Sequence, residues 1–151
     1  MIHVVLVEPE IPPNTGNVAR LCAATGITLH LVGRLGFHLT DSRLRRAGLD
    51  YWEYVDVRRH RDLESFLAPI PDCNLFFFSA HASVSYTRAN YGPDSYLVFG
   101  SETRGLADEV KRRCSHRLWT IPMFEAGVRS LNLSNCVAII CYEALRQLGR
   151  V

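Results

Sequence analysis

An α/β fold built on a mainly parallel sheet with helices on both faces is what this sequence predicts, from two observations. Leu75–Phe78 and Tyr96–Phe99 are continuous apolar runs, the pattern of parallel strands buried on both sides. Such runs alternate along the chain with segments of helical period, and strand–helix alternation is the mark of an α/β sheet. With no linker, repeat or low-complexity stretch, the 151 residues read as a single domain over 1–151.

Ile2–Val7 makes the first strand, ended by Glu8-Pro9. Pro12-Pro13 sets up a turn, after which Asn14 or Thr15 can cap a helix running to about Gly26. Val18, Leu21, Cys22 and Thr25 give that helix its buried face, and Gly26 suits the left-handed residue after its end. Thr28–Val32 alternates as a second strand. Thr40 can cap a short basic helix ending near Gly48. Tyr51–Val57 reads as a strand, and Asp62–Leu67 as a short helix stopped by Pro69 and Pro71. Beyond the two apolar runs, Leu106–Arg113 is helical, Leu118–Ile121 a strand and Leu133–Leu148 a long helix. On that last helix Val137, Ile140, Cys141, Ala144, Leu145 and Leu148 form a core stripe, while Ala138, Ile139 and Tyr142 fill most of the remaining circumference. Burial on more than one side follows. A second subunit and a central place in a monomeric core satisfy the periodicity equally well.

Composition excludes several classes. The hydrophobic share of 48% and charged share of 21% are those of an ordinary globular protein. No apolar run approaches the roughly 20 residues of a membrane helix. MIHVVLVEPE lacks a basic leader and a cleavage site, so the expected location is the cytoplasm. The five cysteines include no CxxC pair and the six histidines are scattered with no HxxxH, so neither a metal site nor a disulfide scaffold is expected. A net charge of +2 does not by itself announce nucleic acid. Every basic residue except Lys111 is arginine, whose planar fork suits phosphate, though arginine-rich codon usage gives the same composition. Arg43/Arg45/Arg46, Arg58/Arg59/Arg61 and Lys111/Arg112/Arg113 form three clusters, each alone an ordinary solvated face.

No GxxxxGK[ST], GxGxxG or GxSxG sequence is present, which removes the P-loop, Rossmann and hydrolase-elbow readings. Three polar, glycine-containing segments remain where strands hand over to loops. In PEIPPNTGNVARLCAATG, Asn14, Asn17 and Arg20 recur at spacings of three on a helix start, able to grip a ribose or phosphate, or simply to cap. In YLVFGSETRGL a buried strand runs into Gly100, and glycine at a strand's carboxyl end admits a ligand close to the backbone. In IPMFEAGVRSLNLSNCVAIICYEAL, Arg129, Ser130 and Asn132 precede the last helix, where Ser130 or Asn132 can also serve as caps.

Together these segments closely resemble the three signature motifs of the SPOUT methyltransferases, specifically the small TrmH-type branch called YibK or TrmL. The resemblance spans essentially the whole chain, from EPEIPPNTGNVARLCA through LRRAGLDYWE and FGSETRGL to RSLNLSN and YEALRQLG. It implies the SPOUT fold, in which the C-terminal segment threads a loop to make a trefoil knot, an exception to ordinary connection rules. It implies transfer of a methyl group from S-adenosylmethionine, without a metal, to the ribose 2′-hydroxyl of cytidine or uridine at the tRNA wobble position, by a homodimer that binds the anticodon stem-loop, with leucine tRNAs the expected substrates. Phe78, Gly100, Glu102, Ile121, Ser130 and Leu131 match the cofactor-binding positions. Arg20 matches the catalytic arginine, with Asn14, Ser130 and Asn132 as its polar partners. Arg129 and Tyr142 match positions implicated in RNA binding, to which Arg43, Arg45 and Arg46 add phosphate contacts. Removing a proton from a guanidinium at neutral pH costs roughly 7 kcal/mol before environmental help, so a charged arginine stabilising alkoxide is the cheaper role, and the proton acceptor stays open. Val128 stands where the pattern often has serine, and the loop after Met123 is one residue longer. Methylation of rRNA ribose or of a tRNA base, and RNA binding without transfer, are the alternatives.

Overall fold

The computed structural model describes residues 1–40 and 42–151, and only the backbone of Arg45 and of residues 47–50. Its strands are β1 (His3–Val7), β2 (Thr28–Val32), β3 (Val57–His60), β4 (Leu75–Phe78), β5 (Val84–Ser85), β6 (Tyr96–Phe99) and β7 (Leu118–Thr120). The helices are α1 (Pro12–Thr25), α2 (Ser42–Gly48), α3 (Leu63–Leu67), α4 (Asp108–Arg113) and α5 (Leu133–Gln147). One parallel sheet has the order β3-β2-β1-β6-β4-β7-β5. The chain winds outward from β1 to β3, then crosses back to build the other half, with β6 slotted beside β1 so that Leu6 pairs Phe99. Such a reversal leaves a crevice at the carboxyl ends of the strands, where open α/β sheets bind ligands.

Period-two alternation divides the core. Val4, Leu6, Leu29, Leu31, Phe76, Phe78, Leu97 and Phe99 face α1 and α5 through Val18, Cys22, Val137, Ile140 and Cys141. Val5, Val32, Leu75, Phe77 and Val98 face the other way, onto Phe66 of α3, Leu106 and the inner side of α4. Burying each such side chain contributes roughly 1.5–3 kcal/mol, so a helix layer on each face is the arrangement the apolar runs require.

Local chemistry explains the helix ends. α1 begins at Pro12 and Pro13, which lack the backbone N–H that a helix start leaves without an acceptor. Its N-cap is Ile11, with no side-chain cap, so neither Asn14 nor Thr15 caps it: both lie buried inside its first turn. Gly26 closes it at φ 66°, as expected. α3 is capped by Asp62, and α5 by Asn132, whose side chain accepts from the Ser134 amide. The Thr40 cap expected for the basic helix turns on residue 41, which lies outside the described residues.

The strand expected after the basic helix is not found as read. Tyr51–Val57 is not a strand: Leu49–Tyr54 is a 3₁₀ turn, and β3 starts only at Val57. Trp52 packs on the margin of the α1 core and Tyr51 under Arg20, and packing overrides propensity. Of the two places left open for the last helix, the central one in the core of a single chain is not the one it takes. α5 packs on α1 and β6 with one side, while Ile139 is 36% and Tyr142 50% exposed on the other. β5, two residues long, carries too short a pattern to be foreseen.

Candidate active site

A cleft of about 690 Å³ opens at the carboxyl ends of β4, β6 and β7. Phe78, Phe99 and Ile121 form its apolar floor, and the segments 100–106 and 129–133 its rim. Each residue matched to cofactor binding, Phe78, Gly100, Glu102, Ile121, Ser130 and Leu131, lies on this wall, as do Asn14, Arg129 and Asn132. The three polar segments, far apart in sequence, therefore meet at one place.

Gly100 is required for a different reason than a ligand's approach. A Cβ there would overlap the backbone of Gly105 and Leu106, so the space is filled by the chain itself. Gly105 has φ 64° and bonds its amide to the Ser101 carbonyl at 2.9 Å, folding the segment back onto the strand end.

A polar chain joins the three segments. The Glu102 carboxylate accepts the Glu10 amide at 2.7 Å, the Ile11 amide at 3.1 Å and Asn14 Nδ2 at 3.2 Å. Asn14 Oδ1 accepts Asn132 Nδ2 at 2.9 Å, and Asn132 Oδ1 accepts the Ser134 amide at 2.9 Å and its hydroxyl at 2.7 Å. Beside it, Thr103 donates to Glu10 at 2.6 Å, and Arg104 stands 3.7 Å from Glu10 and 4.0 Å from Glu8. The Thr103 hydrogen bond, more than Arg104, holds the Glu10 carboxyl below its ordinary range.

Arg20 lies elsewhere. Six residues along a helix turn the side chain by about 240°, so Asn14 and Arg20 do not share a face despite the spacing of three. The Arg20 guanidinium sits 4.7 Å over the Tyr51 ring and 3.4 Å from its hydroxyl, exposed and off the wall of the cleft. Its expected partners Asn14 and Asn132 bond to each other, and Ser130 stands on the cleft rim. Arg43 and Arg46 are exposed on α2, which packs on α1; the side chain of Arg45 lies outside the described residues. Lys111, in a cluster that looked like a solvated face, turns into the cleft wall and pairs with Asp108 at 2.8 Å, whereas Arg112 and Arg113 are exposed. Consecutive helix residues point about 100° apart, which a count of basic residues does not register.

Histidines that look scattered in sequence converge away from the cleft. His3 Nδ1 lies 3.1 Å from His30 Nε2, and His30 Nδ1 2.9 Å from His60 Nε2, a chain across β1, β2 and β3. The rings also stack on Tyr96 and tilt against Phe66. Burial, then the neighbouring His3 and His60, pushes His30 down to about 3. Burial lowers His3 and His60 as well. Among the described residues no group of three or more His, Cys, Asp or Glu side chains is arranged to hold a metal ion.

Residues 1–142 match the model of the SpoU rRNA methylase family. A Burkholderia pseudomallei protein named tRNA (cytidine(34)-2′-O)-methyltransferase is 52% identical, over 99% of this chain and 97% of its own length. An Escherichia coli protein of the same name is 47% identical, over 99% and 95%. A solved structure described as giving structural insights into the 2-OH methylation of C/U34 on tRNA superposes with a TM-score of 0.92 at 48% identity, covering 99% of this chain and 97% of that one. An AdoMet-bound rRNA methyltransferase from Sinorhizobium meliloti superposes at 0.84 with 25% identity, covering 97% of this chain and 56% of that one.

Proposed function

The chain belongs to the SpoU methylase family, and from that premise we propose that it is a tRNA 2′-O-methyltransferase that uses S-adenosylmethionine and acts on the wobble nucleotide, position 34. The observation that carries this reading is the convergence of three distant segments on one cleft at the strand ends, in a chain about half identical to relatives of that name over its full length.

The cleft fits the cofactor. Phe78, Phe99, Ile121 and Leu131 offer apolar surface for a purine, and the turned backbone of 100–106 offers amides and carbonyls for its polar edge. Bound there, S-adenosylmethionine supplies an electrophilic methyl group on a sulfonium. The rest falls to the protein: hold the ribose, exclude water and stabilise charge on the 2′-oxygen. Arg20 is the group for that charge. Its cation rests on the Tyr51 face, which fixes the plane of the guanidinium fork.

Arg20 is off the cleft wall in a single chain, and α5 leaves Ile139 and Tyr142 exposed and Ala138 half-buried. Both features support a homodimer in which one protomer's Arg20 serves the partner's cleft. The anticodon stem-loop is the RNA we assign, because its wobble base is single-stranded and can be splayed out. Arg43, Arg45 and Arg46 on α2 beside Arg20's helix, Arg129 on the rim and Tyr142 on α5 are the assigned contacts, and leucine tRNAs the assigned isoacceptors. Arg58 is committed to Asp56 at 2.7 Å, so the second basic cluster is partly structural. The reading extends to one SPOUT domain over 1–151, a cytoplasmic site of action and a C-terminal trefoil knot.

The test is methyl transfer to purified tRNA carrying ribose or 2′-deoxyribose at the wobble nucleotide. Incorporation should require the 2′-hydroxyl. Equal incorporation into both would assign the enzyme to base methylation, and transfer to rRNA alone would move the substrate. Nucleoside mass spectrometry of a deletion strain should show the loss of 2′-O-methylation in leucine tRNAs.

A further inference from the structure

We infer that Glu102 is a positioning residue for the transfer step, which fixes the start of α1, the helix that carries Arg20, against the cofactor loop, rather than a ligand of the cofactor. This rests on the reading that the cleft takes S-adenosylmethionine. Both carboxylate oxygens are already engaged: one by the Glu10 amide, the other by the Ile11 amide and Asn14. These two amides lie just ahead of a helix whose next two residues are prolines and whose N-cap side chain accepts nothing. Glu102 therefore does for α1 what a capping side chain does elsewhere, from 91 residues away. A carboxylate near a helix start also meets the positive end of the helix dipole.

The hydrogen-bond chain beyond Glu102 has a direction. A carboxylate only accepts, and the backbone amide of Ser134 only donates. Between these fixed ends the two amides have one consistent orientation each: Asn14 gives to Glu102 and accepts from Asn132, which accepts from Ser134. Glutamine at position 102 has the same shape but puts an NH₂ against a donor whichever way it turns. Facing Ile11 it meets a backbone N–H, and facing Glu10 it meets another. Rotating Asn14 to compensate would set its oxygen toward position 102 and its NH₂ toward Asn132, and rotating Asn132 in turn would oppose Ser134. Relief at one link is conflict at the next. The first, second and third segments are thus held in register by one acceptor.

The experiment compares Glu102→Gln, Asn14→Ala and the double variant, each full length, by three measurements. Hydrogen bonds to a charged group are worth enough that kcat for Glu102→Gln should fall roughly tenfold to a hundredfold. Affinity for S-adenosylhomocysteine, by calorimetry, should change less than about threefold, because no cofactor contact is removed. Amide exchange at Glu10 and Ile11 should accelerate in Glu102→Gln. Asn14→Ala keeps both backbone bonds of Glu102, so those amides should stay protected while kcat falls, and the double variant should lose little beyond Glu102→Gln. Affinity falling in step with kcat, or single effects that simply multiply, would overturn the assignment and make Glu102 a cofactor ligand. Should Glu102→Gln fail to fold, Asn14→Ala alone decides: unchanged kcat rejects the coupled chain. Absence of S-adenosylhomocysteine binding by the unmodified protein would instead sink the cofactor reading, and the exchange rates would still report on the clamp.

Discussion

A single methyl group at position 100 is enough to test how the cleft is built. Gly100→Ala places a Cβ inside the backbone of Gly105 and Leu106, where no flexible side chain can yield. Overpacking against mobile side chains typically costs about 1–3 kcal/mol, and a rigid obstacle should exceed that. The expected result is a melting temperature lowered by several degrees together with loss of S-adenosylhomocysteine binding, read by thermal unfolding and calorimetry. An alanine variant that binds normally would show that the two segments are free to separate. Arg20 gives the opposite pattern. Arg20→Ala removes an exposed guanidinium stacked on Tyr51 and touches no cofactor wall. It should abolish transfer while leaving cofactor affinity intact, and Arg20→Lys should restore little, since lysine lacks the planar fork. Near-normal turnover by either variant would remove Arg20 from the chemistry.

Strands give a different kind of prediction, because three of them share the histidine chain. His3, His30 and His60 are held neutral by burial, whereas in the unfolded chain each protonates near its ordinary value of 6.5. The unfolded state therefore binds more protons than the folded one as pH falls through about 6.5, and stability is lost progressively toward about 3, where His30 itself protonates. Asp94 and Asp56 temper this for His3 and Asp56 alone for His30, while Arg58 aggravates it for all three. Urea midpoints should drop between pH 7 and pH 5, and His30→Gln should flatten that slope. An unchanged slope would place the acid sensitivity elsewhere. The histidine chain also shows what a linear sequence hides. β4 and β6 were legible to the residue, because strands buried on both faces must be apolar throughout, and β2 was legible from its alternation. The cleft was legible as three motifs. That His3, His30 and His60 touch depends on the register of β1, β2 and β3, which no local pattern encodes. Arg20's separation from Asn14 was missed for a related reason: a spacing of three approximates a helix face over one turn and drifts off it over two.

At the scale of the whole molecule, the exposed side of α5 is the feature still to be accounted for. Exposed Ile139 and Tyr142, with half-buried Ala138 beside them, form an apolar stripe on a helix whose other side is packed. If two copies pair there about a two-fold axis, a residue near that axis meets its own equivalent. Ile139→Glu would then set carboxylates against each other, and light scattering at micromolar concentration should give the mass of one chain where the unmodified protein gives two. A single-chain mass for the unmodified protein would refute the pairing. How the sheet ends bears on the form any such pairing takes. At one margin β5 offers a strand of two residues, and at the other β3 presents Arg58 and Arg59 within a strand of four. Neither rim is a template onto which a neighbour could knit its own backbone, since one is too brief and the other charged. Growth by strand addition is closed off at both ends, so self-association through the helical flank should stop at a finite particle, and concentrating the protein should not draw it into fibres.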